Sequence, residues 1–463
     1  MPATLTFLGA ARNVTGSRYL LRTDRARVLI DCGMFQEREN LGLNWENFGL
    51  FPPDLDAVVI THGHMDHCGW LPKLVKDGFR GTAHCTPATA DLAPIIIRDI
   101  AHIQVEDAKT KAKRHAREAR QGTRAPKPLY DADDAEQAIA RLSPTPLGHK
   151  IHVAPGVTAE WGENGHILGA AWIRIEADGL SIVFSGDIGR WDRPILNDPA
   201  PPARADYLII ESTYGDRSHI PADVTEQMAE ALADSAARGG NVLIPSFSVE
   251  RAQELLYSLS RLGEEGRLPH HTVYLDSPMA AKVTGLFAKH PEVCDEEMLA
   301  LMAAGKSPFE FAKLRYTVSA EDSKAINSVA GGAVIIAGNG MCTGGRIKHH
   351  LARDIENPAT TVLFAGYQAA GTLGRELADG AGTIRLFNRR MRVGATVRQL
   401  NGLSGHADRD ELLRWAGGIV EKPRHCFVTH GDAAASAALA QSLRDVLGWE
   451  TSNPALRERA ALG

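Results

Sequence analysis

Apolar positions in this chain fall into short runs of four or five residues, each closed by glycine, proline or a charged side chain. That is the rhythm of buried strands. Residues 4–8, 18–22, 27–31 and 57–60 fit such strands, with the turn-rich stretch from Gly9 to Gly16 between the first two. A helix is predicted to begin in Trp70 to Asp77, and a long, mostly helical region over 87–121, closed by Gly122 and Pro126. Strands resume at 171–175, 181–184 and 207–210, and the acids and prolines from Asp198 to Pro202 read as surface loop.

After Tyr214-Gly215-Asp216 the period changes. Helices over 224–238 and 249–261 alternate with strands over 241–244, 272–275, 333–337, 361–364 and 383–386. Such alternation predicts a parallel sheet covered by helices. From about Leu400 the earlier style returns, with Ser404-Gly405-His406-Ala407-Asp408, a helix over 409–416 and a strand over 425–429. One inserted α/β domain explains this order: residues 1–212 and 394–463 make a discontinuous first domain, and residues 213–393 the insert. A chain of 463 residues is long enough for two cores.

Hydrophobic residues at 44 %, 44 glycines and 24 prolines suit a globular α/β protein with many tight turns, not a repeat or coiled coil. The six cysteines form no CxxC pair, which fits a reduced cytoplasm better than a disulfide-stapled exterior. The start lacks a basic leader region and no stretch reaches eighteen uncharged apolar residues, so neither a signal peptide nor a membrane span is expected. The net charge of −5 does not advertise nucleic-acid binding, but a sum hides patches. From Lys109 to Lys127 eight Lys or Arg residues face one acid, Glu118, which reads as a solvated helix face or as phosphate contact.

The chemistry concentrates at one strand end. Thr61-His62-Gly63-His64-Met65-Asp66-His67 follows the apolar run Ala57-Val58-Val59-Ile60. His62 and His64 are two apart, so in extended chain they share one side, while Asp66 and His67 sit where the backbone turns into a helix. Two ligands can then face one metal and the next two its neighbour. His166, Asp187 and His430 each recur at a strand-like end and supply the distal and bridging ligands that the first cluster lacks. Imidazole and carboxylate donors without cysteine favour an open, hydrolytic zinc site. Two zinc ions per chain are expected, manganese being the alternative for a more oxygen-rich set.

These motifs resemble the metallo-β-lactamase superfamily and, within it, the β-CASP nucleases related to the cleavage-and-polyadenylation endonuclease. The resemblance covers nearly the whole chain. It implies an αββα sandwich with an inserted α/β β-CASP domain. It further implies that His62, His64 and His166 hold one zinc, that Asp66, His67 and His430 hold the other, that Asp187 bridges them and that Asp31 supports the site. Glu211 in Ile209-Ile210-Glu211-Ser212-Thr213 resembles motif A, His406 motif B and His430 motif C. Asp66, Glu211 and His406 are the expected catalytic residues: His406 would stabilise or protonate the departing oxygen, and Glu211 would fix its imidazole.

Inside the insert, Pro245-Ser246-Phe247-Ser248 follows a strand and precedes a helix, where free N–H groups and two hydroxyls suit a phosphate. Gly338-Asn339-Gly340-Met341-Cys342-Thr343-Gly344-Gly345-Arg346 leads towards Lys348 and resembles the family's glycine-rich segment; it lacks the ending of a Walker loop. Ser246, Ser248, Asn339, Gly340, Thr343, Gly344 and Lys348 are the expected substrate contacts. Single-stranded RNA is the expected polymer because the resemblance is nearest the RNA-processing branch; the residues themselves do not separate it from DNA. No KH module precedes the first strand, and little chain follows His430, so endonucleolytic cleavage is expected over exonucleolytic. A DNA-repair nuclease and a non-catalytic RNA-binding scaffold are the alternatives, and the oligomeric state is left open.

Overall fold

A computed structural model describes residues 2–117 and 126–463. The chain forms two compact units: Met1–Arg193, Asn197–Ser218 and His406–Gly463 make the first, Pro194–Leu196 and His219–Gly405 the second.

The first unit is built on two seven-stranded sheets. In one, Arg27–Ile30, Ala57–Val59 and Thr82–Cys85 run parallel at the centre. In the other, Tyr207–Ile210 lies parallel between Leu180–Phe184 and His425–Val428. Central runs such as Ala57–Val59 and Tyr207–Ile210 are buried at every position, which is why they lack polar alternation. Leu5, Phe7, Val28, Ile30, Ile173, Ile182 and Phe184 meet between the sheets, each side chain worth about 1.5–3 kcal/mol of burial. Trp161 is fully buried there, yet its indole N–H donates to Ile60 O at 3.0 Å, so no donor is left unpaired. That bond also pins the chain just before His62. Helices Arg409–Gly417 and Ala433–Leu447 cover the second sheet through Trp415, Leu439 and Leu443. Leu71–Lys76, Pro87–Arg117 and Ala132–Ile139 supply the layer beside the first. The αββα layering implied by the resemblance is what the chain adopts.

The long helix runs Pro87–Arg117; the rest of its expected span, to residue 121, lies outside the described residues, as do Arg120 and Arg124 of the basic run. Lys109, Lys111, Lys113 and Arg114 are exposed, and Lys109 pairs with Glu106 at 2.8 Å.

The second unit holds six parallel strands in the order Leu314–Tyr316, Thr272–Asp276, Ala333–Ala337, Val242–Pro245, Thr361–Phe364, Thr396–Gln399. Thr383–Leu386, expected to continue this rhythm, pairs instead with Arg389–Arg392 in a separate ribbon. Its alternating burial, two in and two out, suits a half-buried ribbon; the strand that completes the sheet, Thr396–Gln399, has a single apolar residue, Val397. All six cysteines are buried and free. Among the described residues no helix is long and apolar enough to cross a membrane.

Candidate metal centre

The polar groups of the first unit gather where its central parallel strands end. Ile30 leads to Asp31, Val59 to Thr61 and His62, Phe184 to Asp187, Ile210 to Glu211 and Val428 to His430. In such sheets the crevice outside the carboxyl ends is where ligands bind. His166 reaches the same edge by the opposite route: it precedes Ala171–Ala177, which runs antiparallel to Leu180–Phe184 and so starts where that strand finishes.

Two sets of donors result. In the first, His62 Nε2 lies 3.1 Å and His166 Nε2 3.3 Å from His64 Nδ1. In the second, His67 Nε2 lies 3.1 Å from His430 Nε2, which is 3.5 Å from Asp66 Oδ2. Asp187 stands between them with one oxygen towards each. Its Oδ2 is 3.5 Å from His62 Nε2 and 3.6 Å from His166 Nε2; its Oδ1 is 3.2 Å from His67 Nε2 and 3.3 Å from His430 Nε2. Gly186 makes this approach feasible: its φ is +56°, and a Cβ there would sit 2.9 Å from the Thr61 side chain.

The second nitrogen of several rings is held by protein. His67 Nδ1 donates to Asp31 Oδ2 at 2.7 Å, which fixes the ring and turns its Nε2 towards His430. Thr213 Oγ1 lies 3.2 Å from His430 Nδ1, and Thr61 Oγ1 3.0 Å from His62 Nδ1. Lone pairs facing one another at such distances repel unless a cation lies among them. Asp187 Oδ1 is buried without a hydrogen-bond partner, as suits an oxygen placed to ligate a cation. The donor set therefore fits a divalent metal site of nitrogen and oxygen ligands.

Protonation follows the same division. Burial, aided by the His67 ring, pushes His62 down to about 3, and burial takes His64 to about 4. Burial also lowers His166, so this set is neutral and ready to ligate. Burial opposes charge on His67, but Asp187 and Asp31 outweigh it and raise its pKa. For Asp187 burial is overcome by His430, His67 and His62, which hold the carboxyl well below its usual range.

Glu211 and His406 lie beside these sets. Glu211 is buried, and its carboxylate accepts from Ile188 N at 2.6 Å and Thr213 N at 3.2 Å. Both its oxygens are 3.3 Å from His406 Nδ1. His406 stacks near His166, ring centres 4.5 Å apart, and its Nδ1 is 4.0 Å from Asp187 Oδ2. Burial disfavours the imidazolium, but the charge and hydrogen bond of Glu211 outweigh it and raise His406 to about 9.

Sequence reasoning passed over Thr61, Thr213 and Arg18. Thr61 bonds Asp31 through both N and Oγ1, at 2.8 and 2.9–3.0 Å. Arg18 is fully buried against Trp70, 4.1 Å away, and donates to Gly33 O at 2.7 Å. It thereby braces the loop where a Cβ on Gly33 would meet Asp66 O at 1.6 Å. Only their positions next to motif residues signalled the two threonines.

The expected substrate contacts lie in the second unit, in loops after the neighbouring strands Val242–Pro245 and Ala333–Ala337, save Lys348, which is in the helix Ile347–Asp354. Ser246 is buried and donates to Phe247 O at 2.8 Å, and Ser248 Oγ is 3.2 Å from Ser277 Oγ. Asn339 Oδ1 accepts from Met341 N at 2.8 Å and Thr343 Oγ1 at 3.4 Å, and Gly340 O from Gln368 at 3.1 Å. Gly344 has open space around it, and Lys348 is half-buried with its Nζ 5.4 Å from the Phe387 ring.

Comparison with known proteins matches three family descriptions. Residues 12–216 match the metallo-beta-lactamase superfamily, 252–377 the Beta-Casp domain, and 390–454 the Zn-dependent metallo-hydrolase RNA specificity domain. Ribonuclease TTHA0252 of Thermus thermophilus is 39 % identical over 94 % of each chain. Transcription termination factor FttA of Methanosarcina mazei is 31 % identical over 96 % of this chain and 70 % of its own. A solved protein of unknown function from Enterococcus faecalis superposes over 100 % of both chains with TM-score 0.58 at 14 % identity, a likeness of fold alone.

Proposed function

We infer, from a chain that belongs to the metallo-beta-lactamase superfamily in its Beta-Casp form, a metal-dependent ribonuclease that hydrolyses RNA phosphodiester bonds. The observation that carries it is Asp187, whose two carboxylate oxygens each face a separate histidine set. On this reading His62, His64 and His166 would hold one zinc and Asp66, His67 and His430 the other, with Asp187 placed to serve both. Bound zinc supplies charge for the phosphate oxygens and lowers the pKa of a water.

The chain's own residues do the rest. Asp31 and Thr213 orient His67 and His430. Glu211 holds the Nδ1–H of His406 and favours its imidazolium, which leaves Nε2 as a proton donor for the departing oxygen. Glu211 is itself held in place by two backbone N–H groups, of Ile188 and Thr213. Asp66 acts as ligand and by its charge beside His430.

Single-stranded RNA cut internally is the proposed substrate and mode. RNAs labelled separately at the 5′ and 3′ ends, incubated with zinc-loaded protein and resolved over time, test it. Internal fragments should appear first from both labels. Mononucleotides released progressively from one end would overturn the internal mode, and no cleavage of any RNA would overturn the function.

A further inference from the structure

The ribbon Thr383–Leu386 with Arg389–Arg392 turns Ile384, Leu386 and Met391 into the second unit's core. Its other side is arginine. The register sets Arg385 directly across from Arg390 there, with Arg392 two residues on; Arg389, opposite Leu386, stands on the other face at the turn, and all four are exposed. Among the described residues none of the four guanidinium groups pairs with a carboxylate. Arg390 reaches only Thr383 Oγ1 at 3.3 Å, and Glu356 meets Arg392 through the backbone N–H, at 3.1 Å. Like charges directly opposed weaken a strand pair, so the fold has no use for this arrangement.

The tip carries a second feature. Phe387 and Asn388 take φ of +47° and +63°, the two-residue turn that suits twisted ribbons. Asparagine is at home there; a bulky aromatic is not. The Phe387 ring is 50 % exposed, with the His349 ring centre 4.8 Å and the Lys348 ammonium 5.4 Å away. An exposed ring beside a lysine, next to unpaired arginines, has room for two things: phosphates and a second flat partner besides His349. Single-stranded nucleic acid supplies both. An acidic peptide would answer the charge but would give Phe387 nothing to stack on.

We propose that this ribbon is a docking strip for single-stranded RNA, its arginines meeting backbone phosphates while Phe387 stacks on an unpaired base. The inference rests on the ribonuclease reading and names a second place on the chain that holds the substrate. The test uses the full chain in a His406→Ala background, so that a labelled oligouridylate persists, and follows fluorescence anisotropy over a range of salt. Replacing Arg385, Arg389, Arg390 and Arg392 together by glutamine spares the buried Ile384, Leu386 and Met391. It should make the slope of log affinity against log salt shallower by about 0.7 per lost contact, roughly 2 to 3 in all. The four-lysine variant should keep the slope, which separates charge from a folding defect. Phe387→Ala should weaken binding at an unchanged slope, and Phe387→Trp should restore it. Affinity and slope indifferent to the glutamine variant would overturn the strip, and polyglutamate competing as well as RNA of equal charge would overturn the choice of RNA. Intact protein that cleaves no RNA refutes the ribonuclease reading; protein that cleaves RNA yet ignores these substitutions refutes the strip alone.

Discussion

Asp31→Asn disturbs one ring of the metal centre without removing a ligand atom. In the native site Oδ2 accepts from His67 Nδ1 at 2.7 Å and Oδ1 accepts from Thr61 N at 2.8 Å. An amide has one acceptor oxygen, so either orientation sets its NH2 against an N–H, of His67 or of Thr61. The imidazole escapes by shifting its proton to Nε2, the nitrogen 3.1 Å from His430 Nε2, and a protonated Nε2 cannot ligate. Loss of such an orienting partner weakens metal binding about 10- to 100-fold, or roughly 1.4–2.7 kcal/mol. Zinc titration against a chromophoric chelator, run on variant and wild type, reads both steps. One step should weaken by that factor while the set of His62, His64 and His166 keeps its affinity. Two affinities within twofold of wild type would refute the idea that Asp31 fixes the ring.

His406→Ala should retain both metals in native mass spectrometry yet lower kcat about 10²- to 10⁴-fold; unchanged turnover would remove its role as proton donor. Asp187→Asn should lower metal content per chain and reduce RNA cleavage to background, whereas full occupancy with wild-type rate would contradict the bridging assignment. Asp276 makes a prediction for the second unit. It is buried and accepts from Arg346, His350, Thr317 and Ser323, each at 2.7 Å. Burial pushes its carboxyl up, but the bonds from His350, Ser323 and Thr317 outweigh it and hold it at about 2, below the ordinary 3.8. A depressed carboxyl stabilises above its unfolded value, so this contribution should be full above about pH 4 and vanish as pH falls through about 2. Asp276→Asn should cost about 3 kcal/mol in urea unfolding at neutral pH and flatten that acid decline; an undiminished decline would show that other carboxylates cause it.

The proposed metal ligands stood out in the sequence because four crowd into six residues behind an all-buried strand, and each distant one also closes or precedes a strand. Some strands were passed over although the pattern was there. Val157–Glu163 alternates buried Val157, Ala159 and Trp161 with half-buried Thr158 and Glu160 and pairs on both sides. Thr383–Leu386 was legible as a strand but not its partner, because register depends on a turn whose first residue, Phe387, carries no turn signal. Hydroxyls were hardest to read. Ser246 offers the same side chain as a phosphate ligand yet spends its hydrogen bond on the next carbonyl, while Thr61, unremarked, joins Asp31 to two histidines.

Anomalous diffraction at the zinc absorption edge, on crystals of the zinc-loaded chain, tests the paired-metal centre most directly. Two peaks are expected, one among His62, His64 and His166 and one among Asp66, His67 and His430, with Asp187 in reach of both. A single peak, or zinc bound away from these residues, would contradict it.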